Sequence, residues 1–305
     1  MNFFSRGKLL LSGEYLVIRG ALSLAVPLKL GQTLKVTESP NKGFLSWESY
    51  EKERLWFSAT FETPGMLVTE TSDKIIADRL RQILVAVQQL VRGFFQTQSG
   101  KLVKVYSDFN LNWGLGSSSA LISNIAAWAG ANPYELHKMI SNGSGYDVVC
   151  SREEGPIFFQ RTGEYYKKQK VDFNPVFREK IFFIYLGRKQ DSAASVEAFT
   201  AGIEELEKES ALISKLGYKM AEASELGEFE QAVKDHEKVM ASILNKKPLM
   251  ETRFRDFEGT VKSLGAWGGD FAMVTWKKSG SELLNYLNSK NIDLVFTFDQ
   301  LIKTW

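Results

Sequence analysis

The stretch Asn112-Trp113-Gly114-Leu115-Gly116-Ser117-Ser118-Ser119-Ala120 lies between a strand signal, Lys101 to Leu111, and a helix signal. Two glycines two residues apart allow a tight turn at backbone angles that side chains disfavour. Three serines then bring hydroxyls to the place where the first N–H groups of a helix lack partners. A helix start of this kind attracts anions, because its free N–H groups and its dipole point the same way. The stretch reads as a phosphate-binding loop, with a glycine turn and a serine cap as the plainer alternative. No Gly-Lys-Ser/Thr closes it, so it is not a Walker loop. The missing third glycine at dinucleotide spacing argues against a nicotinamide or flavin site.

Working outward, Leu121, Ile122, Ile125, Trp128 and Ala129 share one face of the helix that follows, which Gly130 can end. Asn132 and Pro133 open another helix, as cap and first helical residue. It stops around Asn142-Gly143-Ser144-Gly145. Upstream, residues 8–62 read as strands, with apolar runs at Leu9-Leu10-Leu11 and at Tyr15 to Ile18. A core helix is predicted from Ser72 to Gly93. Downstream come a hairpin around Thr162-Gly163 and a buried strand over residues 180–186. Helices are predicted over 193–223, 228–245 and 251–264, then a strand over 271–276, a helix over 281–288 and a strand over 293–298. A domain boundary is expected within residues 163–180, giving domains 1–170 and 171–305.

Composition narrows the function classes. The 305 residues are 44% hydrophobic and 24% charged, ordinary for a folded protein with two domains. Lys plus Arg is 38, Asp plus Glu is 36, and the net charge of +2 gives no argument for a nucleic-acid partner. A single cysteine, Cys150, rules out an internal disulfide and suits a reducing compartment. Two histidines and one cysteine argue against zinc. No apolar run approaches a membrane span and no signal peptide is evident, so a cytoplasmic location is expected.

Three glycine-bearing stretches then fall in order: Gly7-Lys8 through Gly13-Glu14-Tyr15, the central loop, and Gly265-Ala266-Trp267-Gly268-Gly269. Ser144-Gly145-Tyr146-Asp147 sits between the last two. This series resembles the three motifs of the GHMP kinases, named for galactokinase, homoserine, mevalonate and phosphomevalonate kinases. It covers nearly the whole chain. Asn110 and Asn112 stand where the family's ATP motif begins with proline and another glycine. Trp267 interrupts a run of small residues, and Asp270 follows it.

The resemblance implies an α+β protein of two domains, the N-terminal one like ribosomal protein S5 domain 2 and the C-terminal one a ferredoxin-like α/β sandwich. It implies ATP-dependent phosphoryl transfer to a small-molecule acceptor. Asn112, Gly114, Leu115, Gly116, Ser117, Ser118 and Ser119 would hold the triphosphate, with a hydroxyl of Ser117 or Ser118 on Mg²⁺. Asp147 would take or orient the acceptor proton. Lys8 would stabilise transferred charge and keep Asp147 ionised, as an opposite charge within about 4–6 Å does. Glu14, Tyr15, Ser144, Gly145, Lys189, Ser192, Gly268 and Gly269 are the candidate acceptor-binding residues. Mevalonate kinases hold Mg²⁺ with a glutamate placed much as Glu135 is here, though one residue nearer the aspartate. Glu135 also stands three residues after Asn132, where it could complete a capping box.

Gly13-Glu14-Tyr15 and Ser144-Gly145-Tyr146-Asp147-Val148 resemble phosphomevalonate kinases. A retained aspartate is more useful for an alcohol, whose proton must leave, than for an ionised phosphate. Both acceptors stay open, with a sugar or amino-acid hydroxyl behind them. A nucleotide- or metabolite-binding module without activity is the alternative of another class. Neither a nucleic-acid nor a membrane partner is expected, and the chain is expected to be a monomer or homodimer.

Overall fold

The structure is a computed structural model, and it describes residues 1–96, 99–187, 199, 206–265, 267 and 270–305. The chain divides into two compact units. The first comprises Met1–Gly7, Leu30–Leu111 and Leu115–Arg152. The second comprises Lys8–Lys29, Asn112–Gly114 and Glu153–Trp305.

In the first unit lie most of β2 (Ser23–Ser39), β3 (Phe44–Glu51), β4 (Arg54–Glu62), β5 (Leu67–Thr71) and β6 (Gly100–Ser107). Strand β1 (Asn2–Leu10) pairs with β2. The strands stand in the order β5-β4-β3-β6-β2. β3 and β6 run parallel and their neighbours antiparallel, so the sheet is mixed. Alternation explains the buried face: Leu34 and Val36, Leu45 and Trp47, and Val103 and Val105 all point to one side. Helices α1 (Lys74–Leu90) and α2 (Ser117–Ala129) cover it with Leu80, Leu84, Ile122, Ile125 and Trp128. α3 (Pro133–Ile140) and the short α4 (Tyr146–Cys150) add Leu136 and Val148.

In the second unit, Ser23–Ala25 of β2 pairs with β7 (Ile157–Thr162), which forms a hairpin with β8 (Tyr165–Lys170). A separate antiparallel sheet has the order β10-β11-β9-β12, from β9 (Ile181–Tyr185), β10 (Val261–Leu264), β11 (Phe271–Thr275) and β12 (Val295–Thr297). Helices among the described residues of this unit include α5 (Glu207–Glu222), α6 (Leu226–Leu244), α7 (Gly280–Ser289) and the short α8 (Phe298–Leu301). Ile184, Val261, Ala272, Val274 and Trp276 pack with Leu283 and Leu287 of α7. The α+β architecture read from the resemblance is therefore present.

Several expectations need correction. Residues 251–264 are not a helix: a 3-10 turn, Leu249–Glu251, leads to strand β10. All four β10 residues are buried, and a strand buried on both faces lacks the alternation that separates it from a helix. The run Tyr15 to Ile18 is not extended either. Leu16–Arg19 is a 3-10 turn, bracketed by left-handed angles at Gly13 (φ 86°), Tyr15 (φ 63°) and Gly20 (φ 88°). Asp73 rather than Ser72 caps α1, accepting from the Ile76 N–H at 3.1 Å. The helix predicted over 193–223 is described from Glu207 onward.

Candidate active site

The quoted stretch folds as its residues suggest. Gly114 (φ 73°) and Gly116 (φ 93°) both take left-handed angles, and α2 begins at Ser117 directly after them. Ser119 is buried and its hydroxyl donates to the Gly116 carbonyl at 2.9 Å, so it closes the loop on itself. Ser118 is exposed and Ser117 half-buried at the open helix start. Glu51, at the end of β3, accepts from Asn110 Nδ2 (3.0 Å) and from the Leu111 N–H (3.2 Å). That carboxylate fixes the chain as it leaves β6, and nothing in the sequence pattern pointed to it.

On the second unit, the Tyr185 hydroxyl donates to the Asn112 carbonyl at 3.2 Å. Burial, then the nearby Asp270, pushes the Tyr185 hydroxyl above its ordinary pKa. The Asp270 carboxyl is itself buried against Gly114: a Cβ on that glycine would lie 2.7 Å from Asp270 Cγ. Gly114 is thus required twice, by its angle and by its neighbour. Asp270 stood out in sequence only as a departure after a glycine run; its seat against the loop comes from the pairing of β11 with β9.

Asp147 sits in the first turn of α4, on the same unit as α2. The two helices are tied by the Ser123 hydroxyl, which donates to the Val148 carbonyl at 3.1 Å. Ser123 and Ser151 hydroxyls lie 2.7 Å apart beneath them. Asp147 Oδ1 accepts the Val148 N–H at 3.0 Å, and its side chain stays about one-third exposed (31%). Gly145 caps α4 at φ 77°, and a Cβ there would meet the Tyr134 ring at 2.6 Å. The Ser144 hydroxyl accepts from the Tyr146 N–H at 3.4 Å. These backbone contacts hold Ser144 and Gly145 as the frame of Asp147.

Glu135 does not complete a capping box. Asn132 Oδ1 takes the Tyr134 N–H at 2.9 Å, and Glu135 pairs with Lys138 at 3.1 Å. Among the described residues no cluster of three His, Cys, Asp or Glu side chains could hold a metal.

Glu14 and Lys8 belong to the second unit. Lys8 lies on β1 and is half-buried. Glu14 is buried in an ion cluster that sequence spacing does not reveal. Its carboxylate pairs with the fully buried Lys262 of β10, and His236 Nε2 lies 3.3 Å from its Oε2. Glu237 Oε1 is 3.5 Å from the same lysine, and Glu237 Oε2 takes the Ser263 N–H at 3.3 Å. The Gly13 N–H points at His236 Nε2 at 3.2 Å. Burial pushes the Glu14 carboxyl up against the opposing pull of Lys262. Burial likewise raises Glu237 to about 7 and, with Lys262, holds His236 well below its ordinary value. Tyr15 is buried beside this cluster in the chain, its ring 5.2 Å from that of Phe199. Lys189, Ser192, Gly268 and Gly269 lie outside the described residues.

No family model and no curated protein sequence matches the chain. Solved structures do. Phosphomevalonate kinase of Streptococcus pneumoniae, solved with phosphomevalonate and AMPPNP, superposes with a TM-score of 0.71 at 16% identity. The match covers 97% of this chain and 99% of that one. Mevalonate kinase of Methanococcus jannaschii gives 0.69 at 15%, covering 100% and 98%. Galactokinase of Lactococcus lactis, complexed with galactose, gives 0.66 at 13%, covering 99% and 93%. Over essentially its whole length, the chain has the fold of the GHMP kinases.

Proposed function

We propose that the chain is an ATP-dependent kinase of a small metabolite, with mevalonate or phosphomevalonate as acceptor. One observation carries this reading. A helix opens out of two left-handed glycines with Ser118 exposed at its start, and it is hydrogen-bonded to the helix bearing Asp147. An anion seat and a carboxylate on tied helices are what phosphoryl transfer to an acceptor needs.

The N–H groups of residues 114–119 hold the triphosphate. Asp147 takes the proton of an alcohol acceptor, or orients an ionised phosphate that has none to lose, as the acceptor oxygen bonds to the γ-phosphorus. The bond from that phosphorus to the β–γ bridging oxygen breaks, and its electron pair leaves with ADP. Lys8 stabilises the charge in flight. The donor chemistry of Ser118, an exposed hydroxyl beside the phosphate seat, fits Mg²⁺, which keeps waters and phosphate oxygens as most of its ligands. Bound there, Mg²⁺ neutralises triphosphate charge. Glu135 fits less well, since its carboxylate is engaged by Lys138.

The loop says nothing of the acceptor. Supporting an isoprenoid precursor are the sequence resemblances at residues 13–15 and 144–148 and the likeness to a kinase solved with phosphomevalonate. A galactokinase of the same fold keeps a sugar hydroxyl as the second reading. ADP release measured on mevalonate, phosphomevalonate, homoserine and galactose separates them. ATP binding without turnover on any of the four would favour a binding module.

A further inference from the structure

Both histidines of the chain stand against a carboxylate that the sequence singled out: His236 by Glu14, and His137 by Asp147. The second pair is the informative one. His137 lies on α3, is 5% exposed, and its Nε2 is 3.8 Å from Asp147 Oδ1. A Cβ on Gly143 would lie 3.2 Å from His137 Cε1 and 3.4 Å from Nε2, so the bare glycine gives the ring its place. The Val148 N–H lands on the same oxygen, Oδ1, at 3.0 Å. With the Val148 N–H on Oδ1 and the His137 ring facing that same oxygen, Oδ2 is left for a reacting group.

We infer that His137 is a positioning residue: its Nε2–H holds Asp147 Oδ1 and so turns Oδ2 toward the acceptor. This rests on the reading of Asp147 as the acceptor's base. The 3.8 Å gap exceeds a direct hydrogen bond, yet a small rotation or one water closes it, and catalytic hydrogen bonds are commonly long before substrate binds. The role requires the tautomer with hydrogen on Nε2. A carboxylate facing an imidazole selects that tautomer, because a lone pair in its place would be repelled.

Nitrogen-15 NMR of the full chain tests the pair without any turnover. His137→Leu assigns the His137 signals by their loss, and the chain has only one other histidine. The expected result is a proton on Nε2 of His137 in the wild type, and a shift of that proton toward Nδ1 in Asp147→Ala, which leaves no side-chain oxygen before the ring. An Nε2 without a proton, or a tautomer indifferent to Asp147→Ala, would overturn the proposal.

Kinetics supply the second arm. His137→Leu is expected to lower kcat about tenfold to a hundredfold, the worth of one hydrogen bond to a charged group, with KM for ATP unchanged. His137→Gln places an amide N–H near the lost Nε2–H and restores most of the rate. In an Asp147→Asn background, His137→Leu then costs nothing further, because the residue acts through the carboxylate. An equal loss in that background, or a glutamine no better than leucine, would overturn the proposal. A wild type that turns over no acceptor overturns the kinase reading instead, and the pair is then judged by the NMR arm.

Discussion

Asp147→Asn keeps the size of the side chain and an oxygen for the Val148 N–H, so the local fold survives while the base is lost. Turnover is expected to fall at least about a hundredfold with the melting temperature little changed. Lys8→Met keeps the stem and removes the charge, and the same loss is expected. Near-normal turnover in either variant removes that residue from the chemistry. Gly114→Ala asks a different question. The methyl would press on the buried Asp270 and strain a left-handed turn. KM for ATP is expected to rise about tenfold or more, with Asp147 and its tie to α2 unaffected. An unchanged KM would mean that the loop does not hold the nucleotide. At this scale the sequence showed which residues to suspect and missed what holds them. Glu51, Ser123, Tyr134, His137 and Asp270 act by approaching a motif across the fold, and no spacing along the chain announces that approach.

Elements were legible where one period was clean. The hairpin of β7 and β8 followed from its turn residues, and α2 ended at its glycine. Legibility failed at β10, where full burial erased the alternation, and at Leu16–Arg19, where three left-handed residues broke an apolar run. β10 also carries Lys262, so misreading it concealed the charge cluster. That cluster makes two predictions. Lys262→Met leaves Glu14 and Glu237 buried without their cation and is expected to cost about 3–5 kcal/mol of stability, read from denaturant midpoints.

The pH dependence of stability carries two opposed contributions from the cluster. Glu237, raised to about 7 from 4.5, binds a proton in the folded chain that the unfolded chain has released. Its contribution is complete below about 4.5 and lost as pH rises through about 7. His236, held well below 6.5, resists a proton that the unfolded chain takes up. Its contribution is present above 6.5 and lost as the pH falls. Glu237→Gln should therefore make stability rise more steeply with pH between 5 and 6.5, and His236→Gln should make it fall, relative to wild type. Denaturant midpoints across that window that shift alike in both variants would contradict the assignment.

For the whole molecule, the likeness to solved kinases spans 97% to 100% of this chain at 13% to 16% identity. A fold persists at such identity when buried positions keep their pattern, while the acceptor-binding residues need not. That is why the order of three glycine motifs sufficed to read the architecture and why the acceptor had to be proposed. Among the described residues no helix is long and apolar enough to cross a membrane.

The most direct measurement is coupled ADP release by the full chain with ATP and Mg²⁺ over mevalonate, phosphomevalonate, homoserine and galactose, alongside Asp147→Asn. Acceptor-dependent release is expected on mevalonate or phosphomevalonate, nearly abolished in the variant. Bound ATP with no acceptor-dependent release from any of the four, or release that Asp147→Asn leaves intact, would contradict that expectation.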